Sequence, residues 1–189
     1  LESEYRLALA RNQKAREQEK LKDESKLITR FCYSDLAKWG FVEKKTKPVE
    51  KVQELHRFFG VTSLYTIAAL DRYKPVFRQG SGQRSSEAPA SWLKVGELCC
   101  QKTPCPPFDK DRLNETLGPI RNMAQSPEIF KSKLEKILVD AGVVLVICPH
   151  LSKTFLHGAT FRLGHKAVLM LTMQGSWADI FWFSLFHEI

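Results

Sequence analysis

The change of hydrophobic pattern at residue 143 constrains the fold of this chain more than any other feature. Before it, apolar residues recur at helical spacing between capping residues and helix breakers. From residue 143 to 148 the chain is an uninterrupted apolar run rich in β-branched side chains, which predicts a buried strand. Residues 167–172 predict a second strand, and residues 157–162 predict a short strand or turn between them. We therefore expect a helical region followed by a small sheet.

Caps and breakers delimit the helices predicted before residue 143. Residues 1–26, rich in Glu, Lys, Arg, Gln and Ala, predict a mostly exposed helix with a thin apolar stripe. Ser126 as N-cap, Pro127 in the first turn and Gly142 as the stop predict the clearest helix. Further helices are predicted at residues 35–39, 48–59, 64–70, 90–101 and 113–123, with Gly60 as the stop of the helix at 48–59. A loop is predicted at residues 79–91.

The segment at residues 180–186 is apolar almost all round, and His187 and Glu188 follow it directly. A helix that is apolar on every side is buried, and a carboxylate beside an imidazole is costly to bury without a metal or partner. In the H-E-x-x-H motif, two histidines on one helix face bind zinc and the glutamate deprotonates the zinc-bound water. These two residues form the first half of that motif, and the second histidine would fall at position 191. On spacing alone, a helix-end histidine beside a solvated glutamate is the favoured alternative.

Composition and charge narrow the class of protein. A hydrophobic fraction of 43% with 26% charged residues is typical of a globular chain and excludes collagen-like, mucin-like and disordered classes. No apolar stretch approaches the roughly 20 residues of a membrane helix, so no membrane association is expected. The net charge is +8, but residues 1–60 hold 14 basic and 10 acidic side chains and the rest hold 15 and 11. Each part is therefore +4 with the signs interspersed, which favours a solvated basic surface over a DNA-binding face.

The five cysteines fit no common zinc spacing, and Cys148 is expected in the core. No signal peptide is recognisable, so reduced thiols and a cytoplasmic location are predicted.

Six short stretches of the sequence resemble segments that occur in the same order in one known family. They are residues 55–61 (LHRFFGV), 75–78 (PVFR), 91–97 (SWLKVGE), 141–146 (AGVVLV), 158–162 (GATFR) and 179–189 (DIFWFSLFHEI). This set resembles the ImmA/IrrE family of metallopeptidase-like proteins. The resemblance is greatest to the branch fused behind an Xre-type helix-turn-helix, often described as HigA-like antitoxins.

The resemblance implies a zinc endopeptidase domain that senses or cleaves a regulatory protein in a bacterial or phage regulator or antitoxin. His187 would be the first zinc ligand and Glu188 the general base. The second histidine and a downstream acidic ligand have no counterpart among the 189 residues, so the chain is expected to be truncated within the motif. Zinc is then expected in the full-length protein and not in this stretch, and activity is not expected of this stretch alone.

The resemblance also sets the expected architecture, which is α+β. A helical N-terminal region would precede a small zincin-like domain with a short, mainly antiparallel sheet packed on a central buried helix. Residues 1–28 would be a linker helix from an absent N-terminal domain, residues 29–107 a helical interaction region, and residues 108–189 the truncated metallopeptidase-like domain.

A substrate of a zinc peptidase adds to the sheet edge beside the active helix. The strand at residues 167–172 is the candidate edge, with Val168 and Met170 as its substrate-facing residues; core packing is the alternative. Expected partners are a regulatory protein or toxin, DNA through the absent N-terminal domain, and a second copy in a homodimer. Two other functions stay open: a non-enzymatic sensor or protein-interaction module, and direct DNA binding by the N-terminal helices.

Overall fold

The computed structural model describes residues 2–70, 86–124, 130–154, 156–173 and 178–189, which form a mixed α+β structure. The α-helices of these ranges are α1 (Glu2–Glu24), α2 (Tyr33–Lys38), α3 (Pro48–Phe59), α4 (Glu87–Lys102), α5 (Lys110–Met123), α6 (Phe130–Asp140) and α7 (Ala178–Glu188). Short 3₁₀ segments lie at Ser25–Arg30 and Leu64–Ala69. The strands are β1 (Val143–Pro149), β2 (Gly158–Leu163) and β3 (Lys166–Met173). No helix in the described ranges has both the length and the apolar character needed to cross a membrane.

The chain divides into two compact units. The first consists of the residues up to Ser91 together with Leu151–Lys153, and the second consists of Trp92–His150 and Thr154–Ile189. The division between Ser91 and Trp92 falls within the residue range of α4.

The first unit is helical. Helix α1 is exposed along its length, as predicted, and its buried side chains are Leu21 and Glu24 near its end. The core contains Phe31 and Phe59, whose rings meet edge to face with centroids 5.4 Å apart. Helix α3 ends at Gly60, whose φ of +69° lies in the left-handed region that glycine adopts without strain, so the predicted stop is confirmed.

The structure describes only the last part of the loop predicted at residues 79–91. Residues 79–85 lie outside the described residues, and so does Ser126, the predicted N-cap of α6. Residues from Glu87 onward are helical, so this end of the loop prediction is wrong. Pro89 does not prevent the helix because it lies in the first turn, where the missing N–H has no helical partner to lose.

The second unit contains the sheet, in the order β1-β3-β2. Strands β1 and β3 are parallel, with Val143 opposite Ala167, and strands β2 and β3 are antiparallel, with Gly158 opposite Leu171. The expectation of a mainly antiparallel sheet is therefore wrong. A tight turn reverses the chain between β2 and β3, and this reversal returns β3 to the direction of β1.

The sheet is buried on both faces at β3. Ala167, Leu169 and Leu171 belong to one apolar cluster with Trp182 and Leu185 of α7. Successive strand residues point to opposite faces, so Val168 and Met170 lie on the other side.

Helix α4 covers that other side, because a Cβ at Gly96 would overlap the Met170 sulfur. Because the strand order is β1-β3-β2, the strand predicted to be the edge is the middle strand of the described sheet. The apolar side chains on both faces of β3 are its core packing.

Helix α7 forms where the apolar segment predicts it, but only one side of it is buried. Trp182 is 7% exposed and Leu185 is fully buried, whereas Phe183 is 75% exposed and Phe186 37%. The expectation of a helix buried all round is therefore wrong for the side that carries Phe183.

Candidate functional site

The last turn of α7 brings Glu188 against strand β2. The Thr160 Oγ1 atom donates a hydrogen bond to the main-chain oxygen of Glu188 at 2.8 Å and lies 3.3 Å from its Oε2 atom. A Cβ at Gly158 would lie 2.7 Å from Glu188 Cγ and 3.1 Å from its Oε1. The absence of a side chain at Gly158 therefore provides the space that the carboxylate occupies.

Gly158, Thr160 and Arg162 share one face of β2 because side chains alternate along a strand. Their partners on β3 are Leu171, Leu169 and Ala167, which belong to the apolar cluster that packs against α7. The face of β2 that contacts Glu188 is therefore on the same side of the sheet as the residues that pack against α7.

In the described part of the chain, the main chain of β2 has a neighbouring strand on one side only. The Thr172 N–H donates to the His157 carbonyl at 2.8 Å, which makes this a hydrogen-bonded antiparallel pair. Hydrogen-bonded pairs alternate along such a ladder, so the N–H and C=O groups of Gly158, Thr160 and Arg162 point away from β3. Within the described sheet no strand pairs with them, and this edge lies directly beside Glu188.

A cavity of about 220 Å³ adjoins the carboxylate. Its walls are mostly apolar and include Phe108, Leu113, Val143, Leu169 and Ile189. Thr160, Arg162 and Glu188 contribute its polar groups. An apolar cavity of about 150 Å³ is large enough to hold benzene, so this one has room for a large apolar side chain.

Arg162 lies over an aromatic ring beside this cavity. Its guanidinium carbon is 4.2 Å from the centroid of the Phe108 ring, a cation–π contact that orients the side chain. The side chain is exposed, and no ion pair joins it to a carboxylate among the described residues. Gly158, Thr160 and Arg162 were not predicted as site residues. Their alternation along a strand, with polar groups at every second position, was the available signal.

His187 lies at the end of the same helix but is exposed. Its ring stacks on that of Phe183, with centroids 6.2 Å apart and planes 5° from parallel. Structural and catalytic zinc sites use three or four protein ligands. No cluster of three or more His, Cys, Asp or Glu side chains occurs in the described part of the chain. The described residues therefore do not form a complete zinc site, and His187 is the ligand that the sequence predicts at this end of α7.

Val168 and Met170, predicted to face a substrate, do not reach this site. Both side chains are fully buried in the central strand, on the face away from Glu188. The open edge beside the candidate base is β2.

The five cysteines are free thiols. Burial raises the pKa of the Cys148 thiol to about 12 and that of the Cys32 thiol to about 11. Both are therefore uncharged thiols near neutral pH, which makes them poor nucleophiles.

Comparisons with models of protein families, with curated proteins and with solved structures found no match for this chain.

Proposed function

We propose that the second unit belongs to an ImmA/IrrE-type metallopeptidase-like domain of a bacterial or phage transcriptional regulator or antitoxin. In this proposal, a segment of a regulatory protein binds as an added strand on β2 and is cleaved there. Glu188 is the general base and His187 is one zinc ligand. The observation that carries the proposal is the position of the Glu188 carboxylate beside the open edge of β2.

The geometry suits a peptide substrate because the main-chain groups that would bind it and the base that would act on it adjoin each other. Peptides that add to a sheet edge pair with its free N–H and C=O groups, which β2 presents at Gly158, Thr160 and Arg162. Glu188 contacts the first two of these residues. A peptide paired with β2 would therefore pass beside the carboxylate.

The residues of this chain would position the base. Thr160 holds the last turn of α7 through the Glu188 carbonyl, and Gly158 leaves room for the carboxylate. Glu188 would accept a proton from the attacking water. Zinc, when bound, would supply Lewis acidity at the scissile carbonyl. Because the described residues do not complete its coordination, the proposal requires a histidine at position 191 and a further acidic ligand in the full-length protein.

The test uses the full-length protein. We expect it to purify with about one zinc per chain and to cleave a regulatory protein. E188Q should retain the metal and lose cleavage. E115Q changes an exposed carboxylate on α5 and is the matched control, which should retain both. A metal-free protein whose regulatory effect survives E188Q would contradict the proposal.

A non-enzymatic sensor module is the second candidate, and the stacking of His187 on exposed Phe183 favours it. An imidazole engaged with an aromatic ring on an open helix face is suited to contact with a partner protein. If F183A abolished partner binding while E188Q had no effect on regulation, this second function would replace the first.

A further inference from the structure

We infer that the edge of β2 selects peptides carrying an acidic side chain two residues before a large apolar one. This inference rests on the proposed addition of a peptide to β2 and names the substrate class of that site. It is carried by two observations: Arg162 and Thr160 lie on the same face of β2, and Glu188 lies beside that face at the cavity.

The positions of Thr160 and Arg162 on β2 determine which substrate side chain would lie opposite each of them. In an antiparallel pair, directly opposite residues project to the same face of the sheet. A substrate residue opposite Thr160 and one opposite Arg162 would thus both lie on the face that carries Glu188. We infer that the substrate adds antiparallel to β2, so the residue opposite Arg162 comes two positions earlier in the substrate.

Arg162 supplies the preference for a carboxylate. Its guanidinium is exposed and is held over the Phe108 ring, without an ion-pair partner among the described residues. Opposite charges that face each other across a strand pair stabilise it, and like charges destabilise it. An acidic side chain opposite Arg162 completes such a pair, whereas a lysine there is repelled.

The cavity supplies the preference for a large apolar residue opposite Thr160. Thr160 lines this cavity, whose walls include Phe108, Leu113 and Leu169. Glu188 also lines it, so an acidic side chain in this position would meet a like charge. The order of the two preferences follows, because the acid is favoured beside Arg162 and disfavoured beside Glu188.

The experiment measures binding, not cleavage, on the full-length protein with Glu188 intact, dialysed against a chelator so that hydrolysis stops while the Glu188 charge remains. The probes are fluorescein-labelled heptapeptides of Thr and Val with a central Glu-Thr-Leu, Lys-Thr-Leu or Leu-Thr-Glu. Their binding is measured by fluorescence anisotropy. We expect Glu-Thr-Leu to bind about five-fold more tightly than either of the others, as for one exposed ion pair. Adding R162Q should remove the preference for Glu over Lys, and R162E should reverse it. R121Q, on an exposed arginine of α5, should leave the preference intact.

Two results would overturn the inference: absence of binding by all three peptides, or a preference that R162Q and R162E leave unchanged. Cleavage assays on the undialysed protein separate this inference from the proposed function. Selective binding without hydrolysis contradicts the peptidase alone. Hydrolysis with no dependence on Arg162 contradicts the inference alone.

Discussion

The hydroxyl of Thr160 joins the edge strand β2 to the last turn of α7 by donating to the main-chain oxygen of Glu188 at 2.8 Å. The same hydroxyl lies 3.3 Å from Glu188 Oε2. One side chain thus restrains both the helix end and the carboxylate that it carries. A restraint of this kind reduces the number of positions that a base samples, and catalysis depends on such positioning.

T160V should lower kcat of the full-length protein about ten-fold, the effect of losing one hydrogen bond of about 1.4 kcal/mol. KM should change little, because peptide binding to β2 uses main-chain groups. Steady-state kinetics on a cleaved peptide provides the measurement. T160S retains the hydroxyl and should restore kcat; if it does not, Thr160 acts through its shape and not through its hydrogen bond.

G158A should reduce activity with little loss of stability. The added methyl group would lie 2.7 Å from Glu188 Cγ, so the flexible glutamate side chain must move. We expect kcat to fall and the free energy of unfolding in urea to change by less than about 1 kcal/mol. The comparison is G118A on α5, where no atom lies within 4 Å of the added Cβ. It should leave kcat unaltered and stabilise the helix by up to about 1 kcal/mol. Equal kcat values for both variants would contradict the proposed crowding.

G142A should be strongly destabilising, by about 3 kcal/mol, because two costs combine. Gly142 has a φ of +78°, and a Cβ there would overlap the main chain of Pro107 and Phe108. G164A is the matched control, since Gly164 has a φ of +59° but nothing within 4 Å of an added Cβ. It should lose only the conformational cost of about 1 kcal/mol. Urea denaturation of both variants gives the difference, and equal losses would show that the contact with Pro107 and Phe108 is unimportant.

The local features of the fold were predictable from the sequence because they depend on neighbouring residues. Gly60 and Gly142 end α3 and α6 through their left-handed conformation, and both stops were predicted. The apolar runs that become β1 and β3 were also predicted. Which strand lies at the edge depends on how the elements pack together, and residues 167–172 were wrongly predicted to be that strand.

A signal for the edge position of β2 was nevertheless present. Strands β1 and β3 are both apolar at consecutive positions, which is typical of strands covered on both faces, so this pattern does not distinguish the middle strand. Strand β2 alternates, with polar Thr160 and Arg162 at every second position, as an edge strand does. The contact of Glu188 with Gly158 and Thr160 was beyond prediction, because it requires the packing of α7 on the sheet.

The buried thiols should react slowly with alkylating reagents in the native protein. Burial raises the pKa of every cysteine, to about 11 for Cys32 and about 12 for Cys148. At pH 7.5 we expect iodoacetamide to label half-buried Cys99 and Cys105 first and Cys148 last, with all five labelled after unfolding in urea. Peptide mass spectrometry gives the order. Rapid native labelling of Cys148 would contradict its burial.

The Glu24 carboxylate should make the stability of the first unit depend on acid pH. It is fully buried and accepts hydrogen bonds from His56 Nε2 at 2.5 Å, Ser63 Oγ at 2.6 Å and the Leu64 N–H at 3.2 Å. Burial alone would raise the pKa of Glu24, but the hydrogen bonds from Ser63, His56 and Leu64 outweigh it. Its pKa is therefore lowered from the usual 4.5. The folded state thus favours the ionised carboxylate more than the unfolded state does.

A lowered pKa in the folded state gives a stabilisation that is complete above the unfolded pKa and is lost as pH falls through the folded value. E24Q should therefore cost about 2 kcal/mol at pH 7, and the difference from the unsubstituted protein should shrink as the pH falls below 4.5. Urea unfolding at a series of pH values measures both effects. E19Q, on an exposed carboxylate of α1, controls for a general change of charge. Because Gln retains the size of Glu, a loss in E24Q that stayed constant with pH would mean that the ionised form of Glu24 does not stabilise the fold.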